Sequence, residues 1–311
     1  MRCIGVFALT LTLLLACTAS SEARAGLDQQ QSAHWFDGRA EVSGYRLWQP
    51  RYGELRQGRA VLVYVTETFS ESDRVKSSSA GRSDKDEFVV MKLNLIKDFQ
   101  TGIYDYHLMT SAFSSLGPRY GRAAGALSKL TFSAQEWCGH TFDEVLFHED
   151  RLQHRGFSYF DGEGDVSREL EVPEAGLSFD RLFIAVRGLP APLVERGESV
   201  EVPVLSRLER SRLLHRPAAW RPATIRRRAE TASVEVPAGR FEVDVYEVDI
   251  TGEAYRFDVE AAFPHRLIRW SGPDGERAEL LGSKRSKYWR ASGEGDEAQL
   301  RDLGFVPPAR P

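Results

Sequence analysis

From Arg240 to Ile250 the chain alternates with period two: Phe241, Val243 and Val245 fall on one face, Glu242, Asp244 and Tyr246 on the other. Residues two apart share a face only in extended backbone, so this segment reads as a half-buried β-strand. Its neighbours repeat the pattern. Val234–Val236 enters through Pro237-Ala238-Gly239, and Tyr255–Val259, Arg266–Trp270 and Ala278–Leu281 follow, with turns at Thr251-Gly252 and Pro273-Asp274-Gly275. Turns this short leave no room for crossover connections, so successive strands must run antiparallel.

The first half of the chain has the same grain. Ala60–Phe69, Phe88–Ile96 and Tyr104–Phe113 are rich in β-branched and aromatic residues. Ser70–Glu87 between the first two is polar and charged, a surface loop or hairpin end. Gly117–Gly125 breaks the pattern, after which Ser128–Phe142, Val145–Glu149 and Gln153–Phe160 read as a meander ending in the turn Asp161-Gly162-Glu163-Gly164-Asp165. Leu205–Leu214 has roughly helical leucine spacing. The expected fold is mainly β: a curved antiparallel sheet or open barrel with one or two short helices. The β-rich domain is placed at 34–292, with 190–225 as a place where two sub-sheets could meet and 293–311 as a loose tail. Arg226-Arg227-Arg228 reads either as a solvated strand edge or as a contact for anionic lipid.

The N-terminus carries a different signal. Arg2 precedes an apolar stretch from Ile4 to Leu15, too short to span a bilayer comfortably, which ends in Leu14-Leu15-Ala16-Cys17. This is a signal-peptide pattern over 1–16, and its last four residues resemble a bacterial lipobox, in which Cys17 is lipidated. Residues 17–33 read as a flexible tether, and Thr18 resembles lipoproteins sent to an outer membrane. The alternative is a secreted soluble protein, cleaved after Ala23-Arg24-Ala25. No other apolar run approaches the ~18–20 residues needed to cross a membrane. With Cys3 lost and Cys17 acylated, Cys138 is the one remaining thiol, so no intramolecular disulfide can form. Lys and Arg number 41 against 45 Asp and Glu, a net charge of −4, which gives no electrostatic reason to expect nucleic acid.

Two sets of segments resemble known families. Ala60–Glu67, Met91–Ser111, Gln135–Thr141 and Ser158–Asp165 resemble a family of uncharacterised bacterial lipoproteins, sometimes labelled septum formation inhibitor Maf. That label does not fit. Maf proteins are cytoplasmic α/β nucleotide pyrophosphatases with a Ser/Arg-rich motif near the start, where this chain has an export signal, and none of their catalytic residues has a matching position here. Val236–Phe241 and Phe263–Trp270 are similar to a domain of unknown function common in periplasmic β-proteins. Its members resemble, in architecture, the lipoprotein-localisation carriers whose curved open barrel holds acyl chains. The resemblance implies a fold and not an activity.

Candidate chemistry concentrates in Gln135–Thr141. If Ser128–Phe142 were one strand, Glu136, Cys138 and His140 would share a face, an arrangement that could activate a thiolate. Same-face neighbours lie ~6.5–7 Å apart at Cα, whereas a base works within ~3.2 Å of its nucleophile. The plainer reading makes Cys138 a small buried hydrophobe, with Glu136 and His140 hydrogen-bonded at a strand end. Trp137-Cys138-Gly139 resembles the start of a thioredoxin-type site, but no second cysteine follows. For a metal, the candidates are Asp161, Glu163 and Asp165, with His140, His148 and His154 nearby. Their spacing matches no recognised zinc site, and a helix-loop-helix calcium site would want glycine where Val166 stands. His107 and His265 read as structural. No hydrolase elbow, phosphate loop or dinucleotide fingerprint occurs, and no cofactor is expected. The leading expectation is a non-catalytic, membrane-tethered envelope protein binding a lipid or other apolar ligand on a concave sheet. Phe241, Val243, Phe257, Leu267 and Trp270 would be its lining or its ordinary core. The alternatives are an envelope hydrolase or thiol enzyme using Cys138 and His140, and a structural protein with a protein partner.

Overall fold

The computed structural model describes residues 26–77 and 86–307; the expected signal peptide and lipidation site at Cys17 lie outside the described residues. A short helix α1 (Gln29–Trp35), closed by a capping box between Asp28 and Gln31, leads into the sheet. The first eight strands are β1 (Ala40–Arg51), β2 (Glu54–Ser70), β3 (Glu87–Thr101), β4 (Tyr104–Ser115), β5 (Leu127–Glu136), β6 (Gly139–Phe147), β7 (Arg151–Ser158) and β8 (Asp165–Glu171). An inner segment follows, with β9 (Leu177–Ser178), a 3₁₀ turn at Phe179–Arg181, α2 (Leu182–Ala185), β10 (Ser199–Leu205) and α3 (Leu208–Leu213). The chain finishes with β11 (Trp220–Arg227), β12 (Ala232–Val236), β13 (Gly239–Ile250), β14 (Glu253–Glu260), β15 (Leu267–Ser271) and β16 (Arg277–Ser286). The mainly β expectation holds, and the one helix expected near Leu205–Leu214 is α3.

All the strands join one sheet, in the order β8-β7-β6-β5-β4-β3-β2-β1-β16-β15-β14-β13-β11-β10-β9, with β12 on β13. Pairing is antiparallel except for the two-residue β9–β10 contact. The two halves are not separate sub-sheets: β1 pairs with β16 from Ala40↔Ser286 to Trp48↔Arg277. β8 and β9 stand at opposite ends of the strand order, yet only residues 172–176 link them. Such a link reaches roughly 20 Å at most, so the sheet must curl until its ends nearly meet. It remains open.

The concave side is filled by the chain itself. Leu177, Phe179, Leu182, Phe183, Ile184, Leu205 and Leu208 join one continuous core with the inward residues of the sheet. Phe183 packs on Phe257 and Trp270, at ring-centroid distances of 5.2 and 5.5 Å. Val243, Phe257, Leu267 and Trp270 are therefore core beneath the inner segment, and Phe241 is half-buried against it. The expected open apolar concavity is occupied because nothing else could cover so much inward apolar area.

Buried charges fix the inner segment in place. Lys97 Nζ on β3 donates to Glu209 Oε1 on α3 (2.8 Å), to Glu276 Oε1 (2.7 Å) and to Gln49 Oε1 on β1 (2.9 Å). Arg207 completes the ring, donating to Glu276 Oε2 (2.7 Å) and Glu209 Oε2 (2.8 Å). Burial pushes the Glu276 carboxyl up, but Arg207 and Lys97 outweigh it and hold it well below the usual range. A second clamp is bidentate: Arg187 donates to both Glu41 oxygens at 2.8 and 3.0 Å, its guanidinium over the Tyr64 ring. Burial opposes ionisation of Glu41 as well, yet Arg187 and His34 bring it down to about 2.

The C-terminal residues are not the loose tail expected. A 3₁₀ helix at Asp296–Leu303 lies on the convex side of β1 and β16, where Leu300, Leu303 and Phe305 pack with Ala40, Val42, Val63 and Val65. Gly44 and Gly282 face each other across β1 and β16. A Cβ on either would stand 2.2 Å from the Leu303 carbonyl oxygen or 2.5 Å from that of Asp302. The paired glycines thus make the seat for this segment.

Asp180 is the charge in excess at the clamp. Buried beside Arg207, it accepts from the Leu208 N–H at 3.2 Å, while its Oδ1 has no partner. Burial raises it to about 6, against the pull of Arg207 and the Leu208 N–H. The folded protein holds this proton more tightly than the unfolded chain, so Asp180 supports folding below about pH 4, and that support fades as pH rises to about 6. Asp180→Asn should therefore gain stability over the parent as pH rises from about 4 to about 7. Urea midpoints across that range test it; a stability difference that does not change with pH would contradict it.

Candidate functional site

The expected Glu136, Cys138 and His140 constellation does not form. β5 stops at Glu136 and the chain reverses through Trp137-Cys138, so Gly139 pairs with Glu136 and His140 with Gln135. Reversal puts His140 on the solvent side with Gln135, whereas Glu136 points inward and is buried. Cys138 is exposed in the turn, its N–H donating to Glu136 Oε2 at 3.2 Å. The Glu136 carboxyl raises the thiol above its ordinary value, the opposite of activation.

The acidic turn is also divided. Glu163 accepts from His215 Nδ1 at 2.8 Å and from Ser158 Oγ at 3.4 Å, Asp161 is exposed, and Asp165 opens β8. Among the described residues no group of three or more His, Cys, Asp or Glu side chains could hold a metal ion.

A polar cavity does form between the inner faces of β6, β7 and β8 and the end of α3. Alternation turns Thr141, Asp143, Val145 and Phe147 of β6 inward, opposite Ser158, Gly156, His154 and Leu152 of β7. At one end this face is apolar, as a core requires. At the other it is Thr141, Asp143, His154 and Ser158, polar groups that pair with one another and with Arg212 and Glu163 around a cavity. The cavity measures about 500 Å³, and its far wall is Ser211, Arg212 and His215–Ala218, with Arg168 on β8. His154 Nε2 bonds Asp143 Oδ1 at 2.7 Å, and Gly156 makes room for the pair: a Cβ there would lie 2.8 Å from that oxygen. His154 is buried, and its Nδ1 has no partner. Arg212 donates to Thr141 Oγ1 at 2.9 Å, with its guanidinium over the Phe160 ring.

Next along the same seam lies a groove of about 760 Å³ where the ends of the sheet approach. Val172 and Pro173 after β8 face Val202 and Pro203 of β10 and Trp220, Pro222 and Ala223 of β11. The Trp220 Nε1–H is buried without a partner. β8 lines both spaces, through Arg168 in the cavity and Glu171 in the groove.

Of this site, the sequence singles out His154, Glu163 and Asp165. The signal for Asp143, Thr141 and Ser158 was present as polar residues on a face that alternation turns inward. Arg212, His215 and Trp220 come from a distant segment and carried no local signal. No protein family, no curated protein and no solved structure matches this chain.

The raised thiol makes a direct prediction. Cys138 should label with iodoacetamide more slowly at neutral pH than the same peptide in the unfolded chain, and Glu136→Gln should speed it. Peptide mass spectrometry reads both rates; faster labelling in the folded parent would restore an activated thiol.

Proposed function

We propose that this chain is a non-catalytic, lipid-anchored envelope protein that binds an amphipathic molecule along the seam between the two ends of its sheet. The ligand's polar part would occupy the cavity at His154 and Arg168, and its apolar part the groove at Trp220. The observation that carries this reading is a pair of spaces that β8 helps to line, a polar cavity and a groove floored by Val172, Pro173, Trp220 and Pro222 and edged by Glu171, Glu201 and Asp249, while His154 Nδ1 and Trp220 Nε1, on their linings, are buried without a partner. Each space is of the size that holds small ligands. The inner segment takes up the central concavity, so ligand is assigned to the seam rather than to Phe257 or Trp270.

The anchor rests on the Leu14-Leu15-Ala16-Cys17 sequence. It would place the protein on an envelope membrane, as a lipoprotein of the outer membrane facing the periplasm. Cells fed labelled palmitate should label this protein, and Cys17→Ser should abolish the label. A mature chain beginning at Gly26 would instead assign secretion.

Ligand binding is tested separately. Protein purified from envelope membranes and freed of detergent should retain an amphipathic envelope molecule in native mass spectrometry. Arg168→Glu combined with Trp220→Ala should lower retention roughly tenfold, the loss of one large apolar contact and one charge-assisted bond. Consistently ligand-free parent protein would overturn the reading.

A further inference from the structure

Because the sheet is a meander, alternate hairpin turns fall at one end. The β1–β2, β3–β4, β5–β6 and β7–β8 turns all lie there, and each carries a large exposed apolar side chain: Tyr52 (56% exposed), Ile103 (80%), Trp137 (68%) and Tyr159 (69%). Phe142 and Phe157, paired across β6 and β7 near the same end, are also exposed. A row of three protruding aromatics and one isoleucine on four successive tips exceeds the scattered apolar residues usual on a monomer's surface.

We infer that this hairpin end is a docking surface for the interface of a lipid bilayer. Strands lie about 4.8 Å apart, so neighbouring tips stand roughly 10 Å from one another. Turn residues such as Gly53, Gly102 and Gly162 add no apolar surface between them. A protein partner would need a separate pocket for each tip, whereas a fluid headgroup layer accepts them all. Two of the four are tyrosine and one is tryptophan, whose apolar body and polar handle suit the headgroup level. Here the Trp137 Nε1–H is held by Asp105 at 3.0 Å, and the Tyr52 hydroxyl lies 2.8 Å from that of Tyr106. These contacts tether the indole and phenol edges to the protein.

The polar cavity reaches the same end. Gly162 and Glu163, in the turn that bears Tyr159, are part of its lining. In this respect the inference rests on the proposed ligand reading: a bilayer at the tips is where an amphipathic ligand would enter. Gly26, the first described residue, packs against the Leu116 carbonyl beyond the far end of β4, at the opposite end from the tips.

Protein beginning at Thr18, which has neither the apolar Ile4–Leu15 stretch nor an acylatable Cys17, is floated with phosphatidylethanolamine–phosphatidylglycerol vesicles, without added ligand. It should rise with the vesicles, and Ile103→Ser/Trp137→Ser/Tyr159→Ser should lower its partition roughly tenfold or more, as loss of three inserted side chains requires. Trp289→Ser, past the far end of β16, should leave partition unchanged. Urea midpoints within error of the parent confirm that the exposed substitutions preserve the fold. Failure of the parent to float, or equal flotation of the triple variant, overturns the inference and turns the tips over to a protein partner. Neither outcome bears on ligand retention, which is measured without vesicles.

Discussion

Lys97, Arg207, Glu209 and Glu276 form a closed ring of buried charges, and the rest of the architecture depends on it. Two belong to the sheet side and two to the inner segment, so the ring joins the concave face to the chain that fills it. Taking these ions out of water is costly, and only their mutual bonding offsets that cost. Losing one partner would leave the others uncompensated, a penalty of about 3–5 kcal/mol. Arg187 and Glu41 repeat the device elsewhere on the segment. Apolar packing alone is non-directional and would tolerate the segment in several registers. Buried ion pairs accept one.

Filling the concavity moves the site of interest outward. A curved sheet with an open face would bind ligand centrally. Here the usable space is displaced to the seam where β8 meets the β10–β11 end of the sheet. The polar cavity and the apolar groove occur together because both arise where the sheet fails to close: ladder hydrogen bonds are missing there and core side chains run out.

β3, β4 and the C-terminal strands β12 to β16 were legible because period-two alternation and turn residues act locally, whereas β1, β8, β10 and β11 were not singled out. β13 with its turns, the break before β5 and the helix near Leu208 all follow from spacing. Reading Ser128–Phe142 as one strand failed at a single point. The two-residue turn at Trp137-Cys138 lacks the Asn-Gly or Asp-Gly signature that marks a tight hairpin. That reversal moved His140 to the opposite face from Glu136 and dissolved the thiol constellation. The tail after Trp289 looked loose because its anchoring surface, the facing pair Gly44 and Gly282, is built from two strands 238 residues apart.

The sequence by itself determined an extended, antiparallel, turn-rich chain, since propensity and alternation are properties of neighbouring residues. Only the tertiary structure decided that one sheet would curl over its own inner segment. It also brought His154 to Arg212 and placed four aromatic or aliphatic tips at a common end. Those outcomes depend on which distant surfaces bury one another, and no local pattern encodes a partner many strands away.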